Sequence, residues 1–225
     1  MSDKYSMVVF DMAGTTVDED NLVYKLMHQV LVNDGYDCTL DQVLALGAGK
    51  EKRQAFIDML VDLGVFAPEN IAKRLHEAFQ LNLTEAYQRM EVKPMPYAEK
   101  VFDELKKRSI KVVLNTGYDA HIANLLLQKL NWIAGKTIDC LITASDVESS
   151  RPDPVMIFLA MKKMGLSDAA SIVKVGDSIT DIEEGKNAGC GLTIGITTGA
   201  QNAKMLLLAT PDFVIQGLDE ILTIV

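Results

Sequence analysis

At 225 residues the chain is long enough for one α/β domain, or for a core domain that carries a smaller insert. Hydrophobic residues make up 48% of the chain and charged residues 24%, which is ordinary for a folded globular protein and argues against extended disorder. The formal net charge of −9 repels nucleic acid backbones and anionic lipid, so we expect neither nucleic acid nor a membrane as a partner.

The cysteines and the N-terminal segment indicate where the protein works. Cys38, Cys140 and Cys190 are odd in number and lack the paired spacing of a zinc site or a disulfide framework. Residues 1–6 are followed by only a short apolar run, which resembles neither a signal peptide nor a membrane span. We therefore predict a cytoplasmic protein.

Short apolar, β-branched runs predict the strands of a sheet. The first is Met7–Phe10, which is closed by a polar turn. Four similar runs follow much later in the chain: Lys111–Asn115, Ile138–Thr143, Ser171–Gly176 and Leu192–Ile196. Amphipathic helical patterns separate them, for example Ala98–Arg108 and Pro154–Met164. This alternation predicts an α/β fold with a doubly wound parallel sheet.

The stretch between the first and second strands has helical patterns only. Apolar residues recur at helical spacing from Val23 to Leu31, and Gly35 stands where that helix is expected to stop. Further helices are predicted around 56–63 and over 71–87. We predict a core domain formed by residues 1–16 and 93–225, interrupted by an all-helical domain at 17–92.

Polar residues with the chemistry of phosphoryl transfer follow the predicted strands. In an open parallel sheet, ligands bind beyond the carboxyl ends of the strands. The residues at those ends are Asp11 to Thr16, Thr116-Gly117, Arg151, and Gly176-Asp177 with Asp181. Carboxylates from different strands can hold Mg²⁺, while a hydroxyl group, an arginine and the turn amides after the first aspartate can hold phosphoryl oxygens.

In this order and spacing, the four segments resemble the motifs of the haloacid dehalogenase (HAD) superfamily, and the helical insert resembles the C1 cap of that superfamily. The resemblance implies a Rossmann-like core and Asp11 as the nucleophile that attacks phosphorus. It implies Thr116 and Arg151 as phosphate-holding catalytic residues. It also implies Mg²⁺ ligated by Asp11, the carbonyl of Ala13 and Asp177, with Asp181 supporting the metal site.

One position departs from the pattern of most HAD phosphatases, which carry a second aspartate two residues after the nucleophile. Here that position is Ala13, so the usual general acid for an ester leaving group is absent. The phosphonatase branch (phosphonoacetaldehyde hydrolase and its relatives) is similar in having alanine there. That likeness extends to Thr116-Gly117-Tyr118, and the predicted substrate contacts are Met12, Ala13, Gly117 and Tyr118.

A lysine in the insert completes the similarity to the phosphonatase branch. Leu46-Gly47-Ala48-Gly49-Lys50 resembles the lysine-bearing loop of that branch, which implies Lys50 as the residue that forms an imine with the substrate. Two alternatives stay open: a solvated lysine at the start of a helix, or a lysine that only steers an anionic substrate. Arg53 stands where phosphonoacetaldehyde hydrolases have histidine, which puts that particular substrate in doubt.

These observations predict a Mg²⁺-dependent hydrolase of a small phosphonate or phosphorylated metabolite, acting through an aspartyl-phosphate. The alternative is a phosphomonoesterase of the phosphoglycolate phosphatase type. A phosphate-binding module without catalysis is a lesser alternative, and a β-phosphoglucomutase-type isomerase is less favoured still because it too needs the missing acid. A homodimer is left open.

Overall fold

The computed structural model describes residues 4–225. The N-terminal segment that we predicted not to be a signal peptide begins at residue 1, and its first three residues lie outside the described residues. The strands are β1 (Met7–Phe10), β2 (Val17–Asp18), β3 (Lys93–Pro94), β4 (Lys111–Thr116), β5 (Cys140–Thr143), β6 (Ile172–Gly176), β7 (Leu192–Ile196) and β8 (Phe213–Ile215). The α-helices are α1 (Leu22–Asn33), α2 (Leu40–Gly47), α3 (Lys52–Asp62), α4 (Glu69–Arg89), α5 (Ala98–Lys107), α6 (Ala120–Lys129), α7 (Val155–Met164), α8 (Ile179–Ala188), α9 (Ala203–Leu206) and α10 (Ile221–Ile224).

The large sheet is parallel and has the order β5-β4-β1-β6-β7-β8. β1 lies at its centre, with Met7 opposite Lys111 on one side and opposite Ile172 on the other. The predicted doubly wound α/β fold is confirmed. Strand order reverses at β1, so a ligand-binding crevice is expected beyond the carboxyl end of that strand.

Both faces of the sheet are covered, as the continuous apolar strands require. Val8 and Phe10 of β1 belong to a core on one face, while Met7 and Val9 belong to a second core on the other. On the first face Phe10 packs against Phe102 of α5, with ring centroids 5.6 Å apart. α7 buries Met156, Ile157, Ala160 and Met161 in the second core, while Phe158 is exposed.

Two short pairings were not predicted. β8 forms a three-residue sixth strand at the edge of the sheet, where it pairs with β7. β2 pairs antiparallel with β3, so the expectation that residues from 17 onward form helices only is wrong at Val17–Asp18. Two residues are too few to show a periodicity, and this pairing depends on a partner more than seventy residues away.

Four helices, α1 to α4, lie between β2 and β3 and pack on one another around a shared apolar core. α4 is one continuous helix that includes the whole range 71–87, over which helix was predicted. α2 was not predicted, although Thr39 and Gln42 form a capping box at its start. β2 begins directly after the predicted domain boundary at 16/17 and β3 directly after the one at 92/93, and the division into two domains stays a prediction.

None of the helices within residues 4–225 combines the length and the apolar character needed to cross a membrane.

Candidate active site

The carboxyl ends of β1, β4 and β6 bring the predicted site residues together. Asp11, Thr116 and Asp177 directly follow or end these strands, and all three are buried. The loop after β5 adds Arg151, and the first turn of α8 adds Asp181. Carboxylate oxygens of the three aspartates lie within 4.8 Å of one another.

Arg151 links two of these carboxylates. Its Nη1 donates to Oδ1 of Asp11 at 2.8 Å and also to Oδ1 of Asp181. Burial raises the pKa of Asp11 to about 6, and the positive charge of Arg151 opposes that rise. Burial acts in the same direction on Asp181, but ion pairs with Arg151 and Lys174 bring its pKa below the ordinary value. Asp181 is therefore held as a carboxylate that orients Arg151.

A buried charged network behind Asp181 was not predicted. Lys174 in the middle of β6 forms ion pairs of 3.0 Å with Asp181 and with Glu184 of α8. The side chain of Asn115 donates to Glu184 and accepts from Lys174. A lysine within an otherwise apolar central strand was the sequence signal for it, because such a charge must be paired when buried.

Asp177 is held by the loop after β7, which was not predicted to be part of the site. Its Oδ2 accepts from the backbone N–H of Ala200, and a Cβ on Gly199 would overlap that oxygen. Thr198 in the same loop donates to the carbonyl of Gly14 at 2.6 Å. The loop follows β7, so the rule that ligands bind at strand ends pointed to it.

The donor set fits a divalent cation. Burial and the neighbouring charge of Asp11 raise the pKa of Asp177 well above its ordinary value. Two buried carboxylates that repel each other are stabilised by a shared cation. Both oxygens of Asp181 are hydrogen-bonded, to Arg151 and to Ser178. Asp11, Asp177 and the adjacent Ala13 carbonyl are thus better placed as ligands than Asp181.

The predicted substrate-binding residues differ in which of their atoms a substrate could contact. Ala13, Gly117 and Tyr118 line a small cavity together with Asp11. The side chain of Met12 is fully buried in the apolar core, so only its main chain is available to a substrate. Thr116 also lines the cavity, and its hydroxyl accepts from the N–H of Tyr118 at 3.1 Å.

The two lysines at the start of α3 have different environments. Lys50, the predicted imine-forming residue, pairs with Asp58, and the structure does not place it among the residues lining the small cavity. Lys52 is only 7% exposed and does line that cavity. The structure therefore directs the amine of Lys52, rather than that of Lys50, toward the site. Lys52 was missed as a candidate.

The helical insert is closed over the core. Thr180 at the start of α8 donates to the carbonyl of Ala48 at 3.0 Å, and a Cβ on Gly117 would lie 2.9 Å from the carbonyl oxygen of Lys50. The small cavity has a volume of about 10 Å³, room for about one water molecule. An adjacent cavity of about 370 Å³ is also lined by Lys52, Gly117 and Tyr118. In this arrangement the cavity beside Asp11 is too small for a phosphorylated metabolite.

Hydrogen bonds between two tyrosine hydroxyls and a carboxylate join the insert to the core beside the site. The Tyr87 hydroxyl of α4 donates to Glu19 at 2.9 Å and lies 2.7 Å from the Tyr118 hydroxyl. All three residues are buried. Burial raises the pKa of Glu19 to about 7, although the hydrogen bond from Tyr87 lowers it. Glu19 and Tyr87 were not predicted as site residues.

A parallel sheet that ends in a buried aspartate, an arginine and two further carboxylates defines the protein as an α/β enzyme. The family model described as haloacid dehalogenase-like hydrolase matches residues 8–195, and the chain belongs to that family. The predicted superfamily and hydrolase class are confirmed.

Relatives similar in sequence include proteins named phosphonoacetaldehyde hydrolase. The chain is 27% identical over 208 residues to "Phosphonoacetaldehyde hydrolase" of Bacillus cereus (strain AH187), covering 88% of this chain and 77% of that protein. It is 28% identical over 197 residues to "Bifunctional phosphonoacetaldehyde hydrolase/aminoethylphosphonate transaminase" of Clostridioides difficile (strain 630). That match covers 83% of this chain and 31% of the bifunctional protein, so the chain spans about a third of that relative.

Solved structures share the fold at low identity. A phosphonoacetaldehyde hydrolase-like protein from Oleispira antarctica superposes with a TM-score of 0.83 at 23% identity, covering 99% of this chain and 92% of that chain. A predicted phosphoglycolate phosphatase from Haemophilus somnus gives a TM-score of 0.79 at 18% identity, covering 100% and 99%. These likenesses establish the fold and leave the substrate undecided.

Proposed function

We propose that the protein hydrolyses a small phosphonate, in a Mg²⁺-dependent reaction in which Asp11 attacks phosphorus. The observation that carries this proposal is the composition of the small cavity. It brings the Asp11 carboxylate together with Arg151 and a lysine amine, while Ala13 leaves it without the usual carboxylic acid. The relatives named phosphonoacetaldehyde hydrolase support the same class.

The roles on the phosphorus side follow from the contacts. Arg151 holds Asp11 by its Oδ1 and offers positive charge to the transferring phosphoryl group. Thr116 and the main chain after Asp11 line the same cavity and can donate to phosphoryl oxygens. A Mg²⁺ ion held by Asp11, Asp177 and the Ala13 carbonyl would supply further charge stabilisation when bound. Asp11 then carries the phosphoryl group until water hydrolyses the aspartyl-phosphate.

Closure of the helical insert, residues 17–92, is part of the proposal. The small cavity has no room for a phosphonate when closed, so the insert must open for binding. The hydrogen bond from Thr180 to Ala48 joins insert and core in the closed state. Closure excludes bulk water from the reacting groups and so strengthens their electrostatic interactions.

A comparison of substrates tests the proposal. Phosphate release is measured from phosphonoacetaldehyde, phosphoglycolate and p-nitrophenyl phosphate, each with Mg²⁺ and with a chelator. We expect Mg²⁺-dependent release from the phosphonate and its loss in Asp11→Asn. Turnover of the esters alone would instead establish the phosphoglycolate phosphatase type. Mg²⁺-dependent binding without product, unchanged in Asp11→Asn, would establish a binding module.

A further inference from the structure

Two lysines lie at the start of α3: Lys50 just before the helix and Lys52 at its first residue, and of the two only Lys52 lines the cavity that contains Asp11. We propose that Lys52, in place of Lys50, is the catalytic amine that forms a covalent adduct with a carbonyl group of the substrate. This inference rests on the proposed function, because it requires a phosphonate with a carbonyl group next to the carbon that bears phosphorus.

The helical phase of α3 explains the position of Lys52. Glu51 caps the helix by accepting from the N–H groups of Arg53 and Gln54. The buried side chains of α3 include Lys52, Ala55, Phe56 and Met59, which are spaced i, i+3, i+4 and i+7. Lys52 thus occupies the inward-facing stripe of the helix. Lys50 precedes the helix, so the helical spacing does not determine the direction of its side chain.

The surroundings of the Lys52 amine suit a nucleophile. Its Nζ lies 5.2 Å from the ring centroid of Tyr24 and 5.9 Å from that of Tyr118, and it donates to the carbonyl of Lys50 at 2.8 Å. Burial and the positive charge of Arg151 lower the pKa of Lys52 to about 8, against the attraction of Asp11. About a tenth of the amine is therefore neutral at pH 7, more than for an ordinary lysine, and the neutral form is the one that attacks a carbonyl.

Lys50 has other partners. Its Nζ pairs with Oδ2 of Asp58, and Oδ1 of that aspartate accepts from Gln54 at 2.8 Å. The side chain of Lys50 remains 30% exposed. An amine bound to a carboxylate that is itself held in place has to break an ion pair before it can turn toward the cavity. Lys52 needs no such rearrangement, because it already lines both cavities.

The reaction balances with water as the only co-reactant. Neutral Lys52 adds to the carbonyl carbon, and loss of water gives a protonated imine. When the carbon–phosphorus bond breaks, its electron pair moves into the imine to form an enamine, while phosphorus bonds to an oxygen of Asp11. Protonation of the enamine carbon and hydrolysis of the imine release the carbonyl product and restore Lys52. A second water molecule releases phosphate from Asp11, so the net reaction consumes one water.

Chemical trapping distinguishes the two lysines in the unmodified protein. Phosphonoacetaldehyde is added with borohydride, and the protein is cleaved after glutamate. Cleavage after Glu51 places Lys50 and Lys52 on different peptides, so mass spectrometry assigns the adduct directly. We expect the adduct on the peptide that begins at Lys52. The same result is expected in Asp11→Asn, where the imine cannot progress to phosphate.

Two matched variants complete the test. Lys52→Arg keeps the positive charge but cannot form an imine, so we expect loss of both the adduct and phosphonate hydrolysis. Lys50→Met keeps the main-chain carbonyl that accepts from Lys52, so we expect the adduct to persist. Thermal unfolding of each variant verifies that it is folded, and mapping in the unmodified protein does not depend on either variant.

The outcomes separate this inference from the proposed function. An adduct on Lys50, together with Asp11-dependent phosphate release from the phosphonate, would overturn the assignment of Lys52 and leave the proposed function intact. Phosphate release from the phosphonate without any trapped lysine would do the same. Failure to release phosphate from the phosphonate, with turnover of esters only, would overturn both.

Discussion

The Nη1 atom of Arg151 lies 2.8 Å from Oδ1 of Asp11, although the two residues are 140 positions apart in the sequence. Both side chains are almost completely buried, at 2% and 6% exposure. The pair orients the Asp11 carboxylate and leaves a positive charge next to the position at which a phosphoryl group would bind. A substitution of Arg151 therefore tests how strongly the activity depends on this ion pair.

Arg151→Lys keeps a positive charge but replaces a branched guanidinium that contacts both Asp11 and Asp181. We expect kcat/KM for phosphate release to fall by roughly 10²–10³, the usual effect of losing one preorganised donor. Arg89→Lys, at a site with 82% side-chain exposure, serves as the control and should be neutral. Equal activity of the two variants would contradict the role of Arg151.

Gly199→Ala tests the support of Asp177. The added methyl group would overlap Oδ2 of Asp177 and crowd the backbone of Gly14, so the carboxylate must move. We expect about a 10- to 100-fold weaker affinity for Mg²⁺, measured by calorimetry and by metal activation. In Gly47→Ala the new methyl meets only ordinary contacts, the nearest at 3.5 Å, so this variant should bind Mg²⁺ normally.

Ala13→Asp tests whether the missing acid limits hydrolysis of esters. An aspartate at this position can protonate an alkoxide leaving group, which contributes roughly 10²–10⁴ to such reactions. We expect turnover of phosphoglycolate to rise by about 10² relative to Ala13→Asn, which matches aspartate in size but has no acid. If the two variants hydrolyse the ester equally, Ala13 is not the feature that disfavours esters.

Glu19 should make stability depend on pH. Burial raises its pKa from 4.5 to about 7 in the folded protein, so the folded state binds the proton more tightly than the unfolded chain. Its contribution to stability is therefore fully present below pH 4.5 and is lost as the pH rises through 7. The loss amounts to about 3 kcal/mol.

Glutamine cannot ionise, so Glu19→Gln should flatten the stability profile over this range and raise stability at pH 8. Urea unfolding at several pH values measures the effect. Glu91→Gln, at a side chain with 78% exposure, is the control and should leave the profile unchanged. A Glu19→Gln profile that parallels the unmodified protein would show that Glu19 keeps an ordinary pKa.

Much of the fold could be predicted because its signals are local. Five apolar runs gave strands within about two residues of their observed bounds, since a buried strand must be apolar along its whole length. β8 and the β2–β3 pair were missed because segments of two or three residues carry too little pattern. Their formation depends on partners that are distant in sequence.

The candidate site likewise contains residues that could be predicted from the sequence and residues that could not. Asp11, Thr116, Arg151 and Asp177 could be named from their positions at strand ends, because parallel strands present those ends at one edge. Lys174 and the loop after β7 carried sequence signals that were missed, but their partners and roles could not be predicted, because these arise from contacts between β6, α8 and that loop.

The sequence by itself determined the class of fold, the order of the motifs and the identity of the groups available for chemistry at phosphorus. Only the tertiary structure decided which of the two lysines lines the cavity beside Asp11. Lys52 is the first residue of α3, so its direction follows the helical turn of about 100° per residue, whereas Lys50 precedes the helix and pairs with Asp58. Their orientation depends on where α3 begins and on what it packs against.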